Sequence, residues 1–388
     1  MKYDFSDSEF FHYLCKNFFT EHKFMKIQEL VSYLDNLIPA GLQEDYDNAG
    51  FLLGNVQDEI SGVLISIDLT PEVVEEAVKK HCNLIVTHHP FIFSGIKRIT
   101  PSNTSGKMIF RLIEQHISVY SAHTNLDNLC CGVNHMLARH LGLENCMILS
   151  PMNNMLKKIE IYCPESHCEQ LKAELFAAGA GRLGKYEKCA YTQTVEEEFN
   201  ACEGATPFIG KIGEKHQGKE NRISLIYLSI YEDKILEALK KAHPYEEPAY
   251  SLIPLDNPVK HFGAGMIGEL PEALPVKDFL QQVKQSLGLP VIRHSALCRD
   301  KVRKIAICGG AGSFLIGKAK QYNADIFLTG DLKYHDFQKA ENSLIIADIG
   351  HYESEQFAKD FFYDEISKKF SIFAVWISEE KSNFVNYI

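Results

Sequence analysis

The chain has 388 residues, of which 45% are hydrophobic, 23% charged and 11% aromatic, a composition that excludes disordered, collagen-like and coiled-coil proteins. Forty Lys and Arg residues against 51 Asp and Glu residues give a formal net charge of −11, which argues against an extended nucleic-acid groove and against an acidic membrane surface as partner. The length predicts about two or three domains, and a small-molecule partner fits the charge better.

Residues 1–24 precede the first clear helical pattern and are expected to form an N-terminal extension. They could be an extra docking helix or the result of an upstream start codon. His12 and Lys16 interrupt their apolar residues and no small-residue cleavage pattern follows, so a signal peptide is not expected. No apolar run reaches about 18 residues, and the eleven Cys residues do not form a disulfide framework pattern. We therefore expect a cytoplasmic protein without a membrane span.

The first half of the core is predicted to span residues 25–151. An amphipathic helix begins at Met25, and strands then alternate with helical segments. The predicted order is strand Val63–Asp68, helix Pro71–Lys80, strand Asn83–Thr87, a helix around Met108–Ile113 and strand Ile117–Ser121. Such a βαβαβ order is typical of a parallel sheet.

A block with a different pattern follows, and we predict an inserted domain over residues 152–256. Its elements read strand, helix, strand, strand, helix, strand, the βαββαβ order of a ferredoxin-like unit. They are Lys158–Cys163, Glu169–Ala178, Cys189–Val195, Ile223–Ile230, Asp233–Ala242 and Ala249–Pro254. The run Glu196–Glu198 within it is most simply explained as a solvated turn or edge.

Strands and helices alternate again in residues 257–388, which form the predicted second half of the core. Its strands are Ile305–Cys308, Asp325–Thr329, Leu344–Ala347 and Ser371–Ile377. The predicted fold class is therefore α/β, with two similar halves built on largely parallel sheets and one inserted domain.

Polar side chains follow the predicted core strands at their C-terminal ends, where doubly wound sheets collect their ligands. They are Asp68, His88, His89, His123, Asp127, Asp331, His335, His351 and Glu355. Two adjacent His residues are hard to explain as packing, because each imidazole needs partners for both nitrogens. Asp68 could simply end its strand, and Asp331 could cap a helix or contact a substrate.

Five of these residues form a predicted metal site, namely His88, His89, Asp127, His351 and Glu355. His351 and Glu355 are four residues apart, so on a helix they share one face. Imidazoles with carboxylates suit Zn, Mn, Fe, Co or Ni better than Ca or Mg, and two ions could share a bridging carboxylate. The alternative is surface and capping roles, against which the coincidence of three clusters at strand ends argues.

His123 and His335 are the predicted catalytic residues. Each could act as a general acid or base, contact the substrate, orient a metal ligand or be merely structural.

Five separated motifs resemble the GTP cyclohydrolase I type 2 family, also called the Nif-three-like family. They are YDNAGFLLG (Tyr46–Gly54), THHPFIF (Thr87–Phe93), AHTNLD (Ala122–Asp127), TGDLKYH (Thr329–His335) and DIGHYESE (Asp348–Glu355). The resemblance runs from about Met25 to the C-terminus. The middle block, with HPYEEPAY at His243–Tyr250, resembles the PII- or CutA-like domain of longer members. Tyr46 stands where many relatives carry Trp.

This resemblance implies a dinuclear divalent metal site on the same five residues, with zinc favoured, and a toroidal homohexamer. It also implies a GTP cyclohydrolase activity that opens the imidazole ring of GTP and releases formate. Three functions follow, of which the first is preferred and the last ranks second. They are hydrolysis of GTP, hydrolysis of another substrate such as a phosphoester, and a non-catalytic role as a metal-binding scaffold or regulator.

Overall fold

The computed structural model describes residues 25–388, and the predicted extension at residues 1–24 lies outside the described residues. The chain divides into two units. One is Met152–Val259, and the other combines residues 25–151 with Lys260–Ile388. Within the described part of the chain, no helix has both the length and the apolar character needed to cross a membrane.

The first sheet of the larger unit has the order β1-β4-β3-β2-β15. Its strands are β1 (Gly50–Leu53), β2 (Gly62–Ser66), β3 (Leu84–Thr87), β4 (Ser118–Ser121) and β15 (Ala374–Ile377). Strands β2, β3 and β4 pair in parallel, which confirms the predicted βαβαβ order. All three are buried along their whole length, as expected for parallel strands covered by helices on both faces.

Three helices of this part lie close to the predicted positions, namely Ile27–Leu37, Pro71–Lys79 and Thr104–Glu114. The second begins where Pro71 occupies the first turn and the Thr70 hydroxyl accepts a hydrogen bond from the Val73 amide at 3.3 Å. In the first, Ile27, Leu30 and Leu34 are buried, as the helical spacing predicted. Two further helices, Thr124–Asp127 and Val133–His140, were not predicted.

The second sheet of the larger unit has the order β11-β14-β13-β12-β10-β5. Its strands are β5 (Glu144–Pro151), β10 (Gly263–Pro275), β11 (Arg293–His294), β12 (Lys301–Ala311), β13 (Ile326–Gly330) and β14 (Ile345–Asp348). Only β12, β13 and β14 are parallel, whereas β5, β10 and β11 pair antiparallel. The expected largely parallel arrangement thus describes the first sheet, and the second is mixed.

Strand β15 corrects the prediction that each half completes its own sheet. It follows the second half in sequence, yet it pairs in parallel with β2 of the first sheet, Trp376 opposite Leu64. Strand β5 shows the opposite arrangement, because it belongs to the first half in sequence but pairs with β10 of the second sheet, Ile148 opposite Met266. The edge strands of the second sheet are β5 and β11, and β15 forms an edge of the first sheet.

The central strands of the second sheet pack on both faces. Ile305 and Ile307 of β12 join a core with Phe279 and Val283 of the helix Val276–Ser286. The intervening strand residues Ala306 and Cys308 join a second core against the helix Ile316–Gln321. This alternation is the period of two expected for a strand between two helical layers. The remaining helices are Tyr334–Gln338, His351–Glu355 and Ala358–Lys369.

The unit Met152–Val259 follows the predicted order of elements. Its strands and helices are β6 (Leu156–Cys163), helix Cys168–Ala177, β7 (Tyr191–Asn200), β8 (Lys215–Leu228), helix Glu232–Ala242 and β9 (Tyr250–Leu255). The sheet is antiparallel with the order β7-β8-β6-β9. Strands β7 and β8 are longer than predicted, because their distal halves carry polar residues that interrupt the apolar pattern. The run Glu196–Glu198 lies on the edge strand β7.

Candidate metal centre

The segments after three core strands converge on one cluster of imidazoles and carboxylates within the larger unit. Residues His88 and His89 follow β3, and Asp127 lies on the short helix that follows β4. His351 begins the helix that follows β14, and Glu355 ends it. The predicted metal ligands therefore lie at the C-terminal ends of the parallel strands of both sheets, where such sheets collect ligands.

Glu355 lies at the centre of this cluster. Its Oε2 atom is 2.9 Å from His89 Nε2, 3.0 Å from His351 Nε2 and 3.8 Å from His88 Nε2. The side chain is almost completely buried, with 3% of its surface exposed. Because His351 and Glu355 are one helical turn apart, the helix places both on the same face.

Two buried atoms of the cluster have no hydrogen-bond partner in the described protein, namely His88 Nε2 and Asp127 Oδ1. They lie 3.6 Å apart. Buried polar atoms are nearly always satisfied, so a pair of facing atoms without partners is typical of a site built for a bound cation. This observation agrees with the predicted metal ligands.

The other nitrogen of each imidazole is fixed by an oxygen. His88 Nδ1 lies 2.9 Å from the Ala122 carbonyl, His89 Nδ1 lies 2.7 Å from Asp68, and His351 Nδ1 lies 2.8 Å from Asp331. Such hydrogen bonds hold the ring orientation and raise the basicity of a metal-binding imidazole. All three Nε2 atoms are consequently directed at Glu355.

The ligand atoms form three groups that could each hold a metal ion. Within each group the atoms lie within 4.8 Å of one another. The groups are His89, His351 and Glu355, then His88, Asp127 and Glu355, and finally His88, His89 and His123. Imidazole nitrogens with carboxylate oxygens suit zinc and its transition-metal neighbours. The residues present therefore fit a transition-metal site.

The electrostatics of the cluster favour added positive charge. Burial of His89 disfavours protonation, yet hydrogen bonds to Asp68 and Glu355 raise the pKa of this imidazole to about 9. Burial of His351 likewise disfavours protonation, but hydrogen bonds to Asp331 and Glu355 outweigh burial and raise the pKa of this imidazole to about 11. Burial and the charge of Glu355 raise the pKa of Asp127 to about 8. Divalent cations would supply the charge that these protons otherwise provide.

His123 lies beside the cluster, whereas His335 does not join it. The His123 ring is 5.3 Å from the rings of His88 and His89, and its Nδ1 is 2.8 Å from Asp47 Oδ1. Burial opposes ionisation of Asp47, but hydrogen bonds from His123 and Thr124 outweigh it and lower the pKa of this carboxyl. His335 is exposed against the Tyr334 ring and belongs to none of the metal-competent groups of residues 25–388.

Sequence reasoning missed the roles of the three carboxylates that hold imidazoles. Asp68 and Asp331 stand at strand ends, which is a usable signal, but their partners His89 and His351 are distant in sequence. Asp47 precedes β1 and is marked only by its place in the YDNAG motif.

Gly310 is a further residue whose role the sequence does not reveal. In the sequence, the glycines at positions 309, 310 and 312 follow the predicted strand Ile305–Cys308 and indicate only a tight turn or a weak phosphate contact. In the structure Gly310 lies within β12 with a φ of +60°, and a β-carbon added there would lie 2.1 Å from Glu355 Oε1. Its lack of a side chain therefore makes room for the central carboxylate of the cluster.

The metal-free protein is expected to lose stability between about pH 6.5 and pH 9. The folded-state pKa of His89, about 9, exceeds the ordinary value of 6.5, so this contribution to stability is present below pH 6.5 and lost as the pH rises through 9. The raised pKa of Asp127, about 8, acts in the same direction. The measurement is the Tm of chelator-treated protein at both pH values, with and without added Zn²⁺.

Zinc should raise the Tm more at pH 9 than at pH 6.5, because the cation then competes with fewer protons. The His294→Ala variant, altered at an exposed ring on β11, should show the same pH dependence as the unaltered protein. A zinc-induced increase in Tm that is equal at the two pH values would contradict the expectation.

Comparisons with known proteins show the family of this chain. A sequence model of the family described as Duf34/NIF3 (NGG1p interacting factor 3) matches residues 25–383. A Bacillus subtilis protein named "GTP cyclohydrolase 1 type 2 homolog" is 33% identical over 363 residues, which make up 92% of this chain and 97% of that protein.

Solved structures give the same result. A Bacillus cereus protein related to NIF3 has a TM-score of 0.78 and 34% identity, covering 94% of this chain and 99% of that one. A Staphylococcus aureus protein has a TM-score of 0.72 and 30% identity, covering 95% and 100%. As the five motifs predicted, the chain belongs to the Duf34/NIF3 family.

Proposed function

We propose that the cluster holds two divalent metal ions and that the protein is a metal-dependent hydrolase of a small molecule. One observation carries the proposal above the others, namely that Glu355 belongs to two different ligand groups. One ion would be held by His89, His351 and Glu355, and the other by His88, Asp127 and Glu355. Zinc is the preferred metal, and Mn, Fe, Co or Ni would suit the same donor atoms.

Ions bound there would supply Lewis acidity and would lower the pKa of water toward neutrality. The protein residues position and protect this chemistry. Asp68 and Asp331 hold two of the ligand rings, and Asp47 holds His123 next to them. His123 is accordingly the preferred group to carry a proton to or from the substrate. His335, on its exposed helix, stays a second candidate for that role.

The preferred substrate is GTP, with opening of the imidazole ring and release of formate. The name of the Bacillus subtilis relative supports this choice. An aromatic surface beside the cluster supports it as well. The Phe93 ring lies 6.1 Å from His123 and 6.3 Å from Tyr46, and both rings are about half exposed or more. Such rings can stack on a planar base.

The test is formate release from GTP by purified protein loaded with Zn²⁺, Mn²⁺, Fe²⁺, Co²⁺ or Ni²⁺ in turn. We expect turnover with at least one ion and its loss in a His88→Ala, His89→Ala double variant, since each proposed ion then loses a ligand. His294→Ala serves as the control for replacing an imidazole away from the cluster. Activity retained in the double variant would remove the basis of the assignment.

The bridging position of Glu355 also favours a second candidate, hydrolysis of a phosphoester. Two ions that share a carboxylate can stabilise both the attacking and the leaving oxygen of such a reaction. A substrate panel in which phosphoesters turn over and GTP does not would support it. Absence of turnover in both the full chain and a chain lacking residues 152–256 would favour the third candidate, a metal-binding scaffold or regulator.

We further propose that residues 25–151 and 257–388 form one core, with residues 152–256 inserted as a PII- or CutA-like, ferredoxin-like domain. The βαββαβ order and the sheet order β7-β8-β6-β9 support the inserted domain. By family resemblance the assembly would be a cytoplasmic homohexamer. Light scattering on the purified protein would give its mass.

A further inference from the structure

The unit Met152–Val259 contains a cavity of about 500 Å³ that the proposed hydrolase chemistry does not use. The cavity lies along the edge strand β7 and is also lined by residues within 201–209, which follow that strand, and within 245–249, which precede β9. Its volume is in the range of small-molecule sites in proteins. The question is which kind of molecule its walls would accept.

The alternation of β7 divides the Glu196–Glu198 run between two faces. Val195, Glu197 and Phe199 are partly buried, whereas Glu196 and Glu198 are exposed. Glu198 forms an ion pair at 2.8 Å with Lys215 of the neighbouring strand, and both side chains are about 60% exposed. Glu197 instead has only 13% of its side chain exposed. The run is therefore not uniformly solvated, and its central carboxylate faces inward.

Glu197 meets a second buried carboxylate, Glu220 of β8. Glu220 is 5% exposed, accepts a hydrogen bond from the Tyr245 hydroxyl at 2.5 Å and is hydrogen-bonded to Glu197. Burial and the charge of Glu220 raise the pKa of Glu197, so the pair tends to share a proton. A cation bound between the two carboxylates would remove the need for that proton.

The cavity combines this acidic pair with aromatic walls. Phe199, Phe208 and Tyr245 line it, and the rings of Phe208 and Tyr245 are 6.0 Å apart. Six Glu residues are among the lining residues, which include no Lys, Arg or His, and the basic group nearest to Glu197 is His216, whose Nε2 lies 3.5 Å from Glu197 Oε1. Aromatic faces and carboxylates both attract cations, and the faces also accept apolar carbon. An anionic ligand is therefore disfavoured.

A bare metal ion fits this cavity poorly. Among residues 25–388, every group of side chains with metal-binding spacing belongs to the cluster around Glu355, and none includes Glu197 or Glu220. The volume and the aromatic walls also exceed what one ion needs. The expected ligand consequently carries its positive charge on an organic frame.

We propose that this cavity binds a small organic cation, a protonated amine or guanidinium compound with an apolar frame. The charged group lies between Glu197 and Glu220, and the carbon frame packs against Phe199 and Phe208. This site is separate in sequence and chemistry from the proposed metal centre, so either proposal can fail without the other.

The test is isothermal titration calorimetry of the full chain with spermidine, agmatine and phenethylamine as probes. We expect at least one to bind with a Kd in about the micromolar range. Glu197→Gln should weaken that binding by about tenfold or more, because a buried charge-assisted hydrogen bond is lost. Glu237→Gln is the matched control, since it removes the same charge from an exposed position of the same unit, on the helix Glu232–Ala242, that does not line the cavity.

Several results would overturn the proposal. They are the absence of binding by all three probes at millimolar concentration, equal weakening in the Glu197→Gln and Glu237→Gln variants, and preferential binding of ATP. Thermal unfolding verifies that each variant folds. If Glu197→Gln does not fold, Phe208→Ala replaces it, and unchanged amine binding in that variant would equally contradict the proposal.

Discussion

Replacing Glu355 with Gln is expected to abolish binding of both proposed metal ions and not just one. Its Oε2 atom lies within 3.0 Å of the Nε2 atoms of His89 and His351 and 3.8 Å from His88 Nε2. The residue also belongs to two ligand groups. A neutral amide lacks the charge and the second acceptor oxygen that bridging requires. We expect the affinity for each ion to fall by about 100-fold or more, beyond the usual effect of losing an outer partner.

Metal content after dialysis and calorimetric titration with Zn²⁺ measure this effect. Glu353→Gln is the matched control, because it changes a buried carboxylate on the same helix that contacts Asn383 instead of the imidazoles. The control should keep both ions. Retention of one full equivalent in Glu355→Gln would show that Glu355 serves a single ion, and the bridging arrangement would have to be abandoned.

Gly310→Ala is expected to weaken metal binding although residue 310 contributes no ligand. A β-carbon at this position would lie 2.1 Å from Glu355 Oε1, closer than any real contact allows, and the backbone has a φ of +60°. The carboxylate would have to move away from the position that faces three imidazoles. We expect a loss of about 1 kcal/mol or more in stability and about a tenfold loss in metal affinity.

Gly317→Ala gives the comparison for this substitution. Gly317 lies in the helix Ile316–Gln321, and an added methyl group there would have no atom within 4 Å, so alanine should stabilise the protein by about 0.5–1 kcal/mol without changing metal content. Chemical unfolding and metal analysis of both variants measure the two effects. Unchanged zinc affinity in Gly310→Ala would mean that Glu355 can move freely, contrary to the packing described above.

The strands of the core were predictable because buried parallel strands carry continuous apolar runs. Leu84–Thr87 and Ile345–Asp348 are examples, and both lie within a few residues of their predicted positions. The partner of the last strand was not predictable, because Ala374–Ile377 has the same pattern whichever sheet it joins. Pairing depends on which edge is open in the folded chain, and that information lies outside any local pattern.

The metal-site prediction drew on position and residue type together. Their positions at strand ends identified His88, His89 and His351 as candidate ligands, and the structure brings these rings around Glu355. The partners Asp47 and Asp68 were harder to assign, because a carboxylate near a turn has many common roles. His123 and His335 look equivalent in sequence, and only the fold separates them, since a histidine's neighbours on other strands are invisible in the chain.

The pairing of β5 with β10 explains how this chain can accommodate the unit Met152–Val259 between two neighbouring strands. Pro151 and Gly263 lie opposite each other on neighbouring antiparallel strands, so the two points where the unit Met152–Val259 leaves and rejoins the sheet are adjacent. A short hairpin turn would bridge the same gap, and the entropy of closing a loop grows only slowly with its length. Evolution could therefore lengthen or shorten this connection while the strands that precede His88, His89 and His351 kept their geometry.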